Sequence, residues 1–392
     1  MKKVIYSLSA LIIIVILAIS VALFYNFSEP IVSSPTPANL ESCNVLQSNG
    51  DDKINIVFLS SEDNAIKFSE YLFMIEPFKS SRDSFNVFNV DAEPSCELYK
   101  GIALYCYSKN NIKLSSSCPN DFIIAVSERE SNIRSSTYMN FLSINSVHPS
   151  TVAAHEFSHA LANLADEYVP ASLPRGSVNC ARSCDSFTVS AGDSSADSAD
   201  GADNADNTDN GCFEGCSLNN YFRSIDTGIM RSLFSNQFGS FNEKIINSQI
   251  SYLTGKEKKS LITGNVIEDF ADCSSDSYYL IEGTYIDNIL TITDKSVESG
   301  CVGRNGAGTF TYELTLDSGD KHTSGDFNPE LIFTESQPEG ADEITGEHFA
   351  NEGSFYLKIP KVENAKSLII KNDNIALAEV ILNEEDAVFC EV

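Results

Sequence analysis

Apolar positions along this 392-residue chain fall into three regimes. The first is the uncharged run of residues 4–25, long enough at ~1.5 Å per residue to cross a ~30 Å hydrocarbon core. Lys2 and Lys3 precede it and orient the N-terminus towards the cytoplasm. The run therefore predicts a single-pass anchor over residues 1–27, then a Ser/Pro-rich stalk over 28–52, with the remaining chain outside the cell. A secreted form is the alternative, because Ser20-Val21-Ala22 offers a small-residue cleavage site after an export signal.

The second regime, residues 53–255, mixes periods of two and 3.6. Residues 53–59 are a short apolar run bounded by Asp and Ser, residues 84–90 alternate, and residues 122–126 are apolar without a break, so all three read as strands. Between them Ala65, Phe68, Leu72 and Ile75 recur at helical spacing until Pro77 stops the element. A second helical pattern occupies residues 151–164. A third opens on Ser240-Phe241-Asn242-Glu243, a capping box, and carries Ile246, Ile250 and Leu253. Strands followed by such helices predict a mixed α/β domain with a cleft beside its sheet.

The third regime, residues 277–392, is reached through a linker at 256–276. Phe310, Tyr312, Leu314 and Leu316 alternate, and further strands are expected at 278–282, 355–359, 367–370 and 375–382. Turn residues at these intervals predict a β-sandwich. No constellation suited to chemistry is visible in it, so a substrate-docking or attachment module, or a structural appendage, is the expectation.

Charge removes one class of function. A net charge of −29 without a Lys/Arg cluster excludes a general nucleic-acid or anionic-membrane binder. Eleven cysteines behind an export segment point to disulfides. Cys180, Cys184, Cys212 and Cys216 bracket one insertion symmetrically and are expected to staple its base, with a structural zinc site as the alternative. The insertion itself, residues 186–211, repeats Asp at 197, 200, 203, 206 and 209 with no large apolar residue in the repeat, which predicts a solvated loop, with calcium binding as the other possibility.

The chemistry concentrates at His155-Glu156-Phe157-Ser158-His159. On a helix, residues four apart lie one turn above each other, so both imidazoles can face one divalent metal while Glu156 takes the proton of a water that the metal activates. Histidine is scarce here, five in the chain, yet two stand at ligand spacing. Asp166 and Glu167 follow where a third ligand could return. On an unbroken helix Asp166 would lie ~10 Å beyond His159, so the chain must bend first.

Three stretches together resemble the IgA-peptidase family of zinc metallopeptidases, a metzincin-like group. They are Glu76-Pro77-Phe78 with residues 84–87, the extended motif running through Asp166-Glu167-Tyr168, and Gly228-Ile229-Met230. The family's helix is similar to H-E-F-G-H-S-F-A-G-L-A-D-E-Y; this chain departs at Ser158 and at Asn163, where the family has glycine. Asparagine tolerates the left-handed conformation, so the bend remains available there.

The resemblance implies a metzincin-like fold, Zn²⁺ as cofactor, a protein or peptide substrate, and Met230 as the methionine beneath the metal. It also implies a third ligand three residues after the bend, which is Asp166; Glu167 stays the alternative, or would hydrogen-bond a ligating histidine. The expected activity is zinc-dependent endopeptidase cleavage with Glu156 as general base. The rival class is a catalytically silent surface module that keeps the fold and binds a partner.

Overall fold

Runs of apolar residues at consecutive positions suit strands covered on both faces, and the chain puts two such runs at the centre of its largest sheet. The computed structural model describes residues 40–187, 211–255, 273–338, 340–350, 352–383 and 389–391. The expected anchor, the first part of the stalk, nearly all of the acidic insertion and most of the linker lie outside these residues. No helix among the described residues is long and apolar enough to cross a membrane.

Eight strands form that sheet: β1 (Cys43–Gln47), β2 (Ile54–Leu59), β3 (Phe85–Val90), β4 (Phe122–Ser127), β5 (Ser135–Tyr138), β6 (Phe141–Asn145), β7 (Leu331–Ser336) and β8 (Thr345–Ala350). Their spatial order is β1-β3-β2-β4-β6-β5-β7-β8. β3, β2, β4 and β6 run parallel, while β1 is antiparallel to β3 and each of β5, β7 and β8 is antiparallel to the strand before it. Three helices, α1 (Glu62–Leu72), α3 (Thr151–Ala162) and α4 (Ser240–Leu253), share a core with one face; the short α2 (Lys109–Ser115) belongs to the other.

Alternation in the strands assigns residues to these two cores. Ile54, Ile56 and Phe58 of β2 join Phe68 of α1, Phe157 of α3 and Ile246 of α4, whereas Val57 and Leu59 join the opposite cluster. Phe157 anchors the motif helix in that first core, with Phe122, Phe78 and Phe85 at ring distances of 5.1, 5.4 and 6.2 Å. Burying such a ring contributes about 1.5–3 kcal/mol, which ties the helix that carries the histidines to the sheet.

The opposite core is closed by two antiparallel sheets from the C-terminal third. One orders Ile289–Ser299, Ser277–Ile286 and Ser354–Pro360; the other orders Lys321–Phe327, Phe310–Leu316, Ala365–Asn372, Ile375–Ile381 and Phe389–Glu391. They meet face to face through Phe327 with Phe355 and Tyr285 with Phe310. The molecule is thus mostly β-sheet, in several sheets, with few helices.

Three details depart from the sequence expectations. Residues 43–47, assigned to the stalk, pair with β3 as β1. β7 and β8 come from the segment assigned to the sandwich, yet they extend the first sheet. The α4 cap is Gly239 at φ 83°, not Ser240, so the capping box is not what starts that helix. As expected, the four insertion cysteines staple its base, in nested disulfides Cys180–Cys216 and Cys184–Cys212 rather than a zinc site; with Cys43–Cys118, Cys96–Cys106 and Cys273–Cys301 there are five among the described residues.

Candidate metal centre

Helix α3 stops where the sequence requires a bend. Asn163 takes the left-handed conformation (φ 50°, ψ 37°), and its N–H donates back to the His159 carbonyl at 3.0 Å. The left-handed region costs most side chains about 1–2 kcal/mol, and asparagine is among the few that enter it routinely. Its side-chain amide also donates to the Arg175 carbonyl at 3.0 Å, which holds the turn. Three residues later the chain has come back over the helix face that carries the histidines.

There His155 Nε2, His159 Nε2 and Asp166 Oδ1 converge. The two nitrogens are 3.1 Å apart, and Asp166 Oδ1 lies 3.3 Å from the first and 3.5 Å from the second. Bonds of ~2.1 Å at tetrahedral angles would set zinc ligands ~3.4 Å apart. The backbone settles the tautomers. His155 Nδ1 meets the Ile229 carbonyl at 3.0 Å and His159 Nδ1 meets the Leu164 carbonyl at 2.6 Å. Carbonyls only accept, so both Nδ1 atoms carry hydrogen, and in their neutral form the rings would turn bare Nε2 lone pairs towards each other. Two facing lone pairs beside a carboxylate oxygen without a hydrogen-bond partner call for a cation. The donor set fits a metal ion.

Glu335 completes this group. His155, His159, Asp166 and Glu335 each offer a ligand atom, all within 4.8 Å of one another, and together they could hold a metal ion. Glu335 sits on β7, in the part of the sequence where no chemistry was expected. His348 of β8 comes with it: its Nε2 is 2.6 Å from Asp166 Oδ2 and 3.6 Å from Glu335 Oε1. Burial opposes charge on His348, but Asp166 and Glu335 beside it raise its pKa to about 10. The Ser172 N–H, donating to His348 Nδ1 at 3.1 Å, requires that nitrogen to be unprotonated. The backbone bond decides the tautomer, so Nε2 carries the hydrogen and donates to Asp166.

The carboxylates differ in environment. Burial, and then the charge of Glu335, push Glu156 well above the usual carboxylate range, against the pull of His155, His159 and Thr137. Burial also acts on Asp166, yet His159, His155 and His348 together hold it well below that range. Glu335 is raised to about 7 by burial and by Asp166. Thr137 of β5 donates to Glu156 Oε2 at 2.6 Å, which leaves Oε1 unpartnered.

Glu167 is placed elsewhere. Its side chain accepts from Asn242 of α4 at 2.8 Å, and its N–H donates to the Met230 carbonyl at 2.9 Å, so it touches neither histidine. Burial raises it to about 7. Met230 is fully buried in the helix-side core, and with Ile229 its backbone positions Glu167 and His155. Tyr168 is buried beside β8, where a Cβ added at Gly346 would lie 2.2 Å from its hydroxyl.

Sequence reading missed Glu335, His348 and Thr137. For His348 one signal existed, the scarcity of histidine that drew attention to the motif; Glu335 and Thr137 stand in ordinary strand patterns and carry none. Compared with known proteins, the chain matches no family model and no curated protein.

Proposed function

We propose that the protein is a zinc-dependent endopeptidase acting on proteins or peptides, with His155, His159 and Asp166 as metal ligands and Glu156 as general base. The observation that carries this reading is the convergence of two imidazole Nε2 atoms and an unpartnered Asp166 oxygen beside Glu156. A histidine pair with one carboxylate is a zinc donor set. Zn²⁺ bound there supplies a Lewis acid that polarises an amide carbonyl and acidifies water. Glu156 performs the proton work: Thr137 fixes one of its oxygens and the other is free to accept a proton from water and pass it to the leaving amine.

The likeness of the motif to the IgA-peptidase family, with the left-handed turn at Asn163 and the backbone at Ile229–Met230 holding His155, supports peptide as the substrate class and a metzincin-like arrangement. Five disulfides favour an extracellular setting, and the apolar run at residues 4–25 would fix the protein to the cell membrane. Bound zinc and casein cleavage should be measured in wild type and Glu156→Gln. The variant should keep the metal and lose at least ~100-fold in rate, the contribution of a positioned base; cleavage at the wild-type rate would refute the mechanism.

One observation favours the second reading, a catalytically silent surface module. Structural zinc sites use four protein ligands while catalytic ones keep a position open, and Glu335 supplies a fourth. A protein that binds zinc but cuts nothing in a broad peptide library, however its hairpin is placed, would support it.

A further inference from the structure

The metal-ligand group is sealed from solvent: His155, Glu156, Asp166 and Glu335 are 0% exposed and His159 is 4% exposed. The cover is a hairpin of the same chain. β7 adds to β5 through three residue pairs, Phe333 with Thr137, Thr334 with Ser136 and Glu335 with Ser135, and then returns as β8. Thr137 is the residue that holds Glu156. Whatever strand lies beside β5 therefore passes over the base and the ligands. β7 does so in detail: Phe333 stacks on His159 at 4.3 Å, and Glu335, two residues on and on the same face, enters the ligand group.

Without β7 and β8, β5 would be the edge of the sheet. An edge presents unpaired N–H and C=O groups on which an extended peptide adds as a further strand. Such a peptide, antiparallel to β5, would place a backbone carbonyl near Glu156. We infer that the β7–β8 hairpin is an intramolecular plug: it occupies the edge on which an extended peptide substrate binds, and Glu335 occupies the ligand position that an open site leaves to water or substrate. This rests on the peptidase reading above.

Both carboxylate oxygens of Glu335 are buried without a hydrogen-bond partner, which suits a group placed to take a metal ion. The hairpin that carries it is fastened at its tip by a polar latch onto the segment after Met230. Gln337 bonds Ser232 Oγ and the Leu233 N–H, Glu343 pairs with Arg231, and the Ile344 N–H donates to the Arg231 carbonyl at 2.8 Å. Latches of this kind open locally without unfolding the core beneath.

The test uses the zinc-loaded full chain and a latch variant, Gln337→Ala with Glu343→Ala, which leaves every ligand in place. Hydrogen exchange over residues 331–350, the rate of zinc transfer to the chelator pyridylazoresorcinol, and casein cleavage are measured in both. All three should rise about ten-fold or more, as expected when a charged and two neutral hydrogen bonds are lost. Faster hairpin exchange with unchanged zinc transfer would overturn the plug, as would hairpin amides that exchange only on global unfolding in both proteins. Faster zinc transfer with no cleavage in either protein would leave the occlusion standing and refute the peptidase reading instead.

Should the latch variant not fold, Glu335→Ala decides. Loaded with Co²⁺, its visible absorption should differ from that of wild type because one ligand is lost. An identical spectrum would show that Glu335 does not occupy the ligand position and would overturn the inference.

Discussion

At the scale of single residues, the site depends on one backbone conformation and a few tautomers. Asn163 turns the chain, and Asp166 arrives beside two imidazoles whose Nδ1 atoms are engaged by carbonyls. Asp166 and Glu167 are neighbours with opposite placements, and their variants should separate accordingly. Asp166→Ala should abolish stoichiometric zinc binding in a competition titration, because a ligand is gone. Glu167→Ala should weaken it by no more than about ten-fold, the low end for groups outside the ligand set, since Glu167 reaches Asn242 and not a histidine. Wild-type zinc affinity in Asp166→Ala would refute the ligand assignment.

At the scale of elements, each of the four parallel strands of the central sheet contributes to two cores, and a charged residue buried among such elements has thermodynamic consequences. Lys358 lies in Ser354–Pro360, is 2% exposed, and donates to Asn120 Oδ1. Burial lowers its pKa from 10.5 to about 7, only partly offset by Asp121. The folded state therefore binds fewer protons than the unfolded chain between pH 7 and 10.5. Below pH 7 both states are charged and the full cost of burying the ammonium is felt; as pH rises through that window the cost is progressively lost and stability increases. Lys358→Met should remove this slope. In urea unfolding, the variant should gain most over wild type at pH 6 and progressively less towards pH 10. A stability difference that stays constant with pH would contradict the assignment, whatever its size, because the orphaned Asn120 oxygen adds only a pH-independent cost.

At the scale of the whole molecule, the C-terminal third is part of the folding unit that holds the site. Val57, Leu59, Phe88, Ile123 and Phe141 of the central sheet share one cluster with Leu280, Phe310 and Leu368. At about 1.5–3 kcal/mol for each such side chain, exposing five of them would cost roughly 10 kcal/mol, which is comparable to the whole stability of a typical domain at about 5–15 kcal/mol. A chain ended after residue 272 also loses Glu335 and His348. It should fail to give a cooperative thermal transition and should not retain zinc on gel filtration. A folded, zinc-containing fragment would show that the two parts are separable.

What the sequence determined by itself were the features written in local periodicity and spacing. The continuous apolar runs at 56–59 and 122–126 suit strands buried on both faces, which is where the structure places them. The four-residue interval between His155 and His159 puts two imidazoles on one helix face, and Asn163 supplies a backbone able to turn the chain towards Asp166. The symmetric spacing of Cys180, Cys184, Cys212 and Cys216 anticipated the paired staples.

Long-range register was decided only by the tertiary structure. Residues 331–336 and 345–350 alternate like any strands, and nothing in that alternation says which sheet they join, because a strand's side-chain pattern specifies a face and not a partner. Their pairing with β5 brings Glu335 and His348 across about 180 residues to Asp166. Three of the four members of the ligand group were legible for the same reason: His155, His159 and Asp166 are joined by a helix and a turn, whereas Glu335 reaches them through a sheet edge that forms only when the distant parts of the chain have packed together.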